Sequence, residues 1–404
     1  MSQNLLLVLP LSVYRNGSQV YIDAQARNGL RLWLGHFDSL TLACPAYDNL
    51  PPVDFLPIDD PQIKVILLPA AYTPYAFLTA LIKMRSILAK AIDESDYLHF
   101  AIGGLFGDWG SASAMIAHKK NRPYAVWTDR VESQVVAFQA TSKRGLRKFY
   151  ILMMAVLVRL YEREIIRRSA LGLFHGMECY EAYSPYSSNP HLVHDIHLGK
   201  ESRICDLDIE SRLLYAGPTR IAYAGRAHHD KGIYDWIETL SHAAKRGIAF
   251  NAVWFGDGPE LENARKAVAN ANLSESIHFV GKLDHQTLIA KLRTFDLFLF
   301  CHKTQESPRC LIEALICGLP IVGYDSPYPR DLTKENGGGI LVPANDPATL
   351  AATIDAFKTG RAKLTQKARL DGRLFDADSV FERRSQLMKT LSDIRKIKNF
   401  GDCK

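Results

Sequence analysis

The sequence predicts an α/β protein built from two doubly wound parallel-sheet domains in tandem. Three observations carry that expectation. Short apolar strands alternate with amphipathic helices along most of the chain. The rhythm lapses once, between residues 198 and 218, and then restarts. At 404 residues, with 47% hydrophobic and 23% charged residues, the chain can also bury two cores of ordinary composition.

In order along the first half, strands are expected near 5–10, 40–44, 64–68, 97–102, 124–128 and 171–175, with helices near 18–34, 74–92, 111–119 and 143–169. After the lapse, strands are expected near 220–224, 251–255, 276–280, 297–301, 320–323 and 339–342, with helices between them and a last amphipathic helix near 378–396. The expected division is 1–200 as the first domain, 201–218 as linker, 219–375 as the second domain, and 376–404 as a C-terminal helix packing back on the first. No internal repeat or low-complexity segment interrupts this plan.

Seven cysteines, at 44, 179, 205, 301, 310, 317 and 403, form no CxxC pair. An odd, unpatterned set argues for reduced thiols in the cytoplasm rather than a disulfide framework. The N-terminus reads as a first buried strand, because it lacks the basic flank and cleavage site of a signal peptide. The longest strongly apolar run, 149–158, is ten residues, where a membrane span needs roughly 20.

Charge is concentrated around that run. Between Lys143 and Arg168 lie eight basic residues (Lys143, Arg144, Arg147, Lys148, Arg159, Arg163, Arg167, Arg168) and two acidic ones, Glu162 and Glu164. The excess of six equals the net charge of the whole chain, +6. Arg159, Arg163 and Arg167 would form one basic stripe on a helix. A solvated helix face explains this plainly. Docking on an anionic membrane surface is the functional alternative. Nucleic acid is disfavoured, since no aromatic-interleaved platform accompanies the charge.

Ligands of doubly wound sheets bind outside the carboxyl ends of the strands. In the second half those ends carry Gly225-Arg226, Gly256-Asp257-Gly258-Pro259, Gly281-Lys282-Leu283 and the run from His302 to Pro308. Lys231-Gly232 adds a second cation beside Arg226. In Glu306-Ser307-Pro308-Arg309-Cys310-Leu311-Ile312-Glu313, Ser307 is the expected N-cap, Pro308 the first helical residue and Gly318 the stop. A carboxylate then stands on each side of a helix start, which itself attracts phosphate. These parts suit a nucleotide diphosphate carrying a polyhydroxylated group.

Residues 220–346 resemble the donor-binding domain of the large family 4 glycosyltransferases, retaining enzymes of the GT-B fold. Gly225-Arg226 to Lys231-Gly232 is similar to that family's diphosphate clamp. Phe255-Gly256-Asp257-Gly258-Pro259 is similar to its Gly-x-Gly-Pro turn, and Phe279-Val280-Gly281 to its base-side loop. The run from Glu313 through Cys317-Gly318-Leu319-Pro320-Ile321-Val322 resembles its Glu-Ala-x-x-x-Gly-x-Pro-Val-Val segment. Gly338 to Pro343, then Asp346-Pro347, resembles the hairpin and helix start that follow. The first half matches only in general pattern, as expected of an acceptor-binding half.

The resemblance implies two doubly wound domains facing across a cleft and a nucleotide diphosphate sugar as donor. It implies no catalytic metal and no cofactor. Arg226 and Lys231 would stabilise the departing diphosphate. Glu313 would bind ribose hydroxyls and Glu306 the donor sugar. Ser307, Arg309, Gly256, Gly281, Lys282 and Leu283 complete the expected donor contacts, with Gly17 reaching the phosphates from the first half. One departure stands out. The family's two glutamates are separated by seven residues, whereas Glu306 and Glu313 are separated by six, so Gln305 is the ungapped partner of the first position. Either a one-residue loop change gives Glu306 the role, or Gln305 supplies uncharged hydrogen bonds.

Asp129, after the fifth strand, is the candidate to orient or deprotonate the acceptor hydroxyl; its plain alternative is a loop cap or a partner of Arg130. His191, His194, Asp195 and His197 have a spacing too unspecific for a metal site, and structural roles are expected. His228 and His229 lie between the two cations. The expected protein is a cytoplasmic glycosyltransferase, peripheral on the inner face of the membrane, acting on a glycan acceptor such as a lipid-linked saccharide of bacterial polysaccharide synthesis. The alternatives are a sugar-nucleotide epimerase of the same fold and a non-catalytic sugar-nucleotide-binding subunit.

Overall fold

The computed structural model describes residues 3–304 and 306–401, the side chains of 393–401 excepted. The chain forms two compact units, one of Met1–His197 with Asp378–Lys404 and one of Leu198–Ala377.

The first unit holds strands β1 (Asn4–Val8), β2 (Val13–Asn16), β3 (Gln19–Asp23), β4 (Ser39–Tyr47), β5 (Phe55–Pro57), β6 (Ile63–Pro69), β7 (Tyr97–Ala101), β8 (Ala125–Thr128), β9 (Leu171–His175) and β10 (Pro190–Val193). Its parallel core runs β6-β4-β1-β7-β8-β9-β10, with the order reversing between β1 and β7. The central strand explains its own place. Leu5, Leu6, Leu7 and Val8 are all fully buried, with Leu6 and Val8 in the core on one face and Leu5 and Leu7 in the core on the other.

One expectation is corrected in this unit. Residues 18–34 are not one helix. Asn16 pairs with Gln19 across Gly17-Ser18, making an antiparallel hairpin of β2 and β3 that needs the left-handed φ of 62° at Gly17. The β-favouring run Val20-Tyr21-Ile22 holds the strand, and the helix Ala24–Leu34 begins only after Asp23, whose carboxylate accepts from the backbone N–H groups of Gln25 and Ala26.

The helix Ala377–Gly401 contributes Phe381, Met388 and Leu391 to the core of the first unit beside Leu5, Trp33 and Phe37. Arg384 on this helix is buried, lies 4.1 Å from the Trp127 ring centroid, and donates to Asp195 at 2.8 Å. The buried cation is thus matched by an aromatic face and a carboxylate.

In the second unit, β11 (Thr219–Ala224), β12 (Phe250–Phe255), β13 (Ile277–Gly281), β14 (Leu297–Phe300), β15 (Ile321–Tyr324) and β16 (Gly339–Val342) form an all-parallel sheet ordered β13-β12-β11-β14-β15-β16. The order reverses between β11 and β14, which marks the crevice where such sheets bind ligands. The helix Ile233–Lys245 buries Ile233, Trp236, Ile237, Leu240 and Ala243, one face at helical spacing. Each unit is a Rossmann-like domain, as the α/β reading expects.

Two further corrections fall here. Residues 201–218, expected as linker, contain the helix Asp206–Leu214, whose buried Arg212 donates to the backbone carbonyls of Gly318, Cys317 and Arg293. The acidic first turn and short length hid this helix from a hydrophobic pattern. Residues 338–343 are not a hairpin arm, because β16 pairs parallel to β15. The helix start after it is real: Asp346 caps Pro347–Gly372 by accepting from the Thr349 N–H at 3.0 Å.

Candidate functional site

The site is assembled from the loops that leave β11, β12, β13 and β14. After β11, Gly225 N–H donates to the Phe255 carbonyl and Ala227 N–H to the Asp257 carbonyl, each at 2.9 Å. This backbone-to-backbone contact explains the Gly256-x-Gly258 pair. A Cβ on Gly256 would lie 2.1 Å from the Gly225 carbonyl oxygen, and one on Gly258 would lie 2.3 Å from that of Ala227. The clasped loops hold Arg226, which is exposed and makes no ion pair among the described residues.

Gly232 is the second fixed point. It takes a left-handed φ of 68° between the short 3-10 turn His229–Lys231 and the helix Ile233–Lys245. A Cβ there would sit 1.8 Å from the Cys301 carbonyl oxygen at the end of β14. Only glycine satisfies both demands. This packing brings the neighbouring Lys231 to the β14 loop, where its Nζ donates to Glu306 Oε2 at 2.5 Å. Both side chains are mostly withdrawn from solvent, at 14% and 13% exposure.

Beneath the pair, Tyr223 on β11 and His302 after β14 share a hydrogen bond of 2.8 Å between the hydroxyl and Nε2. Burial, then the Lys231 charge, pushes His302 well below the ordinary histidine range, so its imidazole is neutral. Burial likewise pushes the Tyr223 phenol up. A neutral hydrogen-bonded pair thus lies within electrostatic reach of the charged Lys231 and Glu306.

The helix Arg309–Ile316 starts differently from its expected form. Pro308 occupies the cap position with no side-chain cap bond, and Ser307 lies buried one residue before it. Proline's fixed φ, here −73°, suits the cap, and its side chain has no oxygen to accept from the first helical N–H groups. The expected stop is present: Gly318, at φ 64°, donates to the Leu315 carbonyl while Leu319 donates to that of Ala314, a Schellman ending. Arg309 is the first residue of this helix. Gln305 lies outside the described residues.

Glu313 sits in the second turn, buried at 6% exposure, with its Oε1 3.0 Å from His285 Nε2. His285 opens the helix His285–Leu292, capped by Asp284 accepting from Thr287 N–H at 2.9 Å. That helix follows the Gly281-Lys282-Leu283 loop, where Gly281 has φ 84° and the Lys282 N–H donates to Asp257 at 3.2 Å. His285 thus ties the loop after β13 to Glu313. Of the loop histidines, His228 Nδ1 is 2.6 Å from Asp230 and His229 Nε2 is 3.0 Å from Glu260.

Lys231 and Glu306 are therefore in direct contact, Glu313 is reached through His285, and Arg226, Gly256, Gly281, Lys282, Leu283, Ser307 and Arg309 occupy the strand-end loops of the same unit. Asp129 and Gly17 belong to the other unit. Asp129 is exposed just past β8, and its neighbour Arg130 pairs with Glu132 at 2.5 Å. Gly17 is the tip of the β2–β3 hairpin. Among the described residues, no group of three His, Cys, Asp or Glu is positioned to hold a metal. His191 instead meets Asn189 at 2.9 Å. Tyr223 and His285 are the residues that sequence reasoning missed, and His302 stood there only as the first residue of the strand-end run to Pro308. His285 left a trace as the first helical residue after an aspartate cap.

Comparison with known proteins supplies the wider setting. Residues 206–373 match the family model described as glycosyl transferases group 1. The 2-deoxystreptamine N-acetyl-D-glucosaminyltransferase of Streptomyces fradiae is 29% identical over 174 residues, 41% of this chain and 41% of the relative. The amylovoran biosynthesis glycosyltransferase AmsK of Erwinia amylovora is 27% identical over 151 residues, 36% of this chain and 37% of the relative. The chain thus spans about two fifths of these curated relatives. Among solved structures, the sucrose-phosphate synthase of Thermosynechococcus elongatus superposes with a TM-score of 0.70 at 18% identity, over 96% of this chain and 99% of that one. HepE from Anabaena, solved in complex with UDP, gives 0.67 at 14% identity, over 96% and 100%. The chain has the GT-B fold, and its residues 206–373 carry the pattern of the glycosyl transferases group 1.

Proposed function

We propose that the protein is a retaining glycosyltransferase that moves a sugar from a nucleotide diphosphate donor to a glycan acceptor. The observation that carries this reading is the Lys231–Glu306 pair, held at the switch point of a nucleotide-type sheet between two glycine-fixed loops. Breaking a sugar–phosphate bond develops charge on the departing diphosphate. Lys231 and Arg226 supply fixed cations for it, so that charge is met without reorganisation at the moment of reaction. In this reading they carry the diphosphate charge without a metal ion or a cofactor.

Glu306 acts on the donor sugar and orients Lys231, while Glu313 takes the ribose hydroxyls, steadied by His285. Glu306, rather than Gln305, fills the first acidic position, and its contact with Lys231 supports that choice. Asp129 is assigned to the acceptor hydroxyl. The UDP bound by HepE makes a uridine diphosphate sugar the first donor to test.

The acceptor is assigned as a lipid-linked saccharide of polysaccharide synthesis, met at an anionic membrane surface on the cytoplasmic side. AmsK, an amylovoran biosynthesis enzyme, supports the polysaccharide part. The helix Gly145–Arg167 supports the membrane part. It buries Ala155, Val158, Ile165 and Ile166, yet exposes a second apolar stripe including Leu146, Phe149, Met153 and Leu160. Among the described residues no helix is long and apolar enough to cross a membrane. An exposed apolar stripe with the exposed cations Arg144, Arg147 and Lys148 beside it fits a helix lying in the interface.

Acceptor-dependent release of nucleoside diphosphate from a sugar nucleotide tests the reading. Transfer requires acceptor, and its product keeps the anomeric configuration of the donor. Isomerised sugar nucleotide without acceptor would show an epimerase instead, and tight donor binding without turnover would show a binding subunit.

A further inference from the structure

A groove of about 400 Å³ opens between the helices Glu132–Phe138 and Gly145–Arg167 in the first unit. Val131, Ala137, Leu152 and Val156 give it apolar walls, and Arg159 and Arg163 line it from one side, one helical turn apart. The basic residues of this helix do not behave alike. Arg167 and Arg168 both pair with the single carboxylate of Glu164. Arg159 and Arg163 have no carboxylate partner among the described residues. Arg163 is held by its guanidinium stacking 4.2 Å from the Tyr186 ring centroid, which orders it at little entropic cost.

The neighbouring Glu162 offers these arginines no countercharge. It faces the core, fully buried, and accepts from the Tyr183 hydroxyl at 2.9 Å. Burial pushes its carboxyl up to about 8, so it keeps its proton near neutrality. Two guanidinium groups without a carboxylate partner among the described residues, one of them held by Tyr186, stand beside an apolar trough and call for a ligand with the opposite halves: an anion bearing hydrocarbon. A free inorganic anion would leave the apolar walls unused, and a neutral chain would leave the arginines unused. The groove also adjoins the exposed apolar stripe of the same helix, where Leu146 and Phe149 are 88% and 69% exposed.

We propose that this groove seats the phosphate of a membrane lipid, with Arg159 and Arg163 on its oxygens and the first methylenes of the chain against Leu152, Val156, Val131 and Ala137. This deepens the membrane part of the proposed function and rests on that part alone. It assigns a defined lipid seat, distinct from the diffuse attraction of a basic helix to anionic headgroups.

The test is calorimetric titration of the full chain with decyl phosphate below its micelle concentration, with inorganic phosphate and UDP as separate titrants. Decyl phosphate is expected to bind, and inorganic phosphate to bind roughly tenfold more weakly or not at all. Arg159→Gln with Arg163→Gln should weaken decyl phosphate by roughly tenfold or more. Arg147→Gln with Lys148→Gln, which removes the same charge from the same helix away from the groove, should leave it unchanged. Val156→Phe should weaken it with every charge retained. The proposal is overturned if decyl phosphate does not bind, if both charge pairs lose equally, or if inorganic phosphate binds as tightly as decyl phosphate. UDP affinity should be the same in every variant. A wild-type chain that binds decyl phosphate but not UDP would count against the donor site and leave the lipid seat standing.

Discussion

Lys231 and Glu306 stand 75 positions apart in sequence and meet at 2.5 Å, each side chain more than four-fifths buried. A pair this withdrawn is costly to break from one side, because the surviving charge is left without its partner. The contact is best understood through function. In the proposed reading it holds a cation ready at the switch point, close to where the diphosphate departs.

Lys231→Ala should therefore lower kcat by roughly two to three orders of magnitude, equivalent to about 3–4 kcal/mol of barrier. Glu306→Gln should lower kcat as well, with a smaller effect on the affinity for nucleoside diphosphate alone. Steady-state kinetics on purified variants checks both. A Glu306→Gln enzyme with full activity would pass the first acidic role to Gln305.

Glu313 and His285 make a separable prediction. Glu313→Ala should raise the donor KM by roughly tenfold or more, because it removes hydrogen bonds made in both the ground and transition states. His285→Ala acts through Glu313, so it should raise KM by a smaller factor and lower kcat little. Comparing a ribonucleotide donor with its deoxyribose analogue gives the specific readout. The ratio of their KM values should collapse in Glu313→Ala and fall partway in His285→Ala.

Gly232 should be intolerant of any side chain. At φ 68°, with a Cβ position 1.8 Å from the Cys301 carbonyl oxygen, Gly232→Ala combines left-handed strain with a backbone clash. The expected destabilisation is about 2–4 kcal/mol, measured by urea unfolding. Gly247→Ala is the control. It shares a positive φ of 73°, but no atom lies within 4 Å of its Cβ position, so only the smaller conformational term applies.

Glu162 sets a pH dependence of stability. Its carboxyl is held up to about 8 in the folded state, chiefly by burial, against an ordinary glutamate value of 4.5. Between those values the folded chain keeps a proton that the unfolded chain has released. Stability therefore falls as pH rises through this window, and the full penalty is present above about pH 8. Glu162→Gln cannot ionise and still accepts from Tyr183, so its unfolding free energy should be flatter between pH 5 and pH 8, the difference from wild type exceeding about 1 kcal/mol. Parallel slopes for the two proteins would contradict the assignment.

How much could be read from the sequence differed between the units. The second was legible because its glycines mark forced geometry: Gly232, Gly256 and Gly258 each stand where a side chain would strike backbone, and each lies beside a candidate ligand contact. Glu313 was legible for the same reason, through the turn closed by Gly318. What escaped was partnership. No local pattern says that Lys231 reaches Glu306, that Tyr223 meets His302, or that His285 meets Glu313, since these contacts arise from sheet order. Ser307 misled because proline at the next position displaced it from the cap. In the first unit, 18–23 failed because β-forming residues next to a helix start were absorbed into the helix. The Arg159–Arg163–Arg167 stripe was visible as spacing, but only the fold shows that Arg167 pairs with Glu164 while the other two have no carboxylate partner among the described residues.

The central claim is that Arg226 and Lys231 receive a nucleotide diphosphate. Thermal unfolding with and without UDP tests it most directly, since ligand at 100 times its Kd stabilises by about 2.7 kcal/mol. The account predicts a clear rise in Tm for the wild-type chain, lost or strongly reduced in Arg226→Ala and Lys231→Ala, with UMP giving much less than UDP. An equal rise in both variants, or no rise with UDP, GDP, ADP, CDP or dTDP, would contradict it.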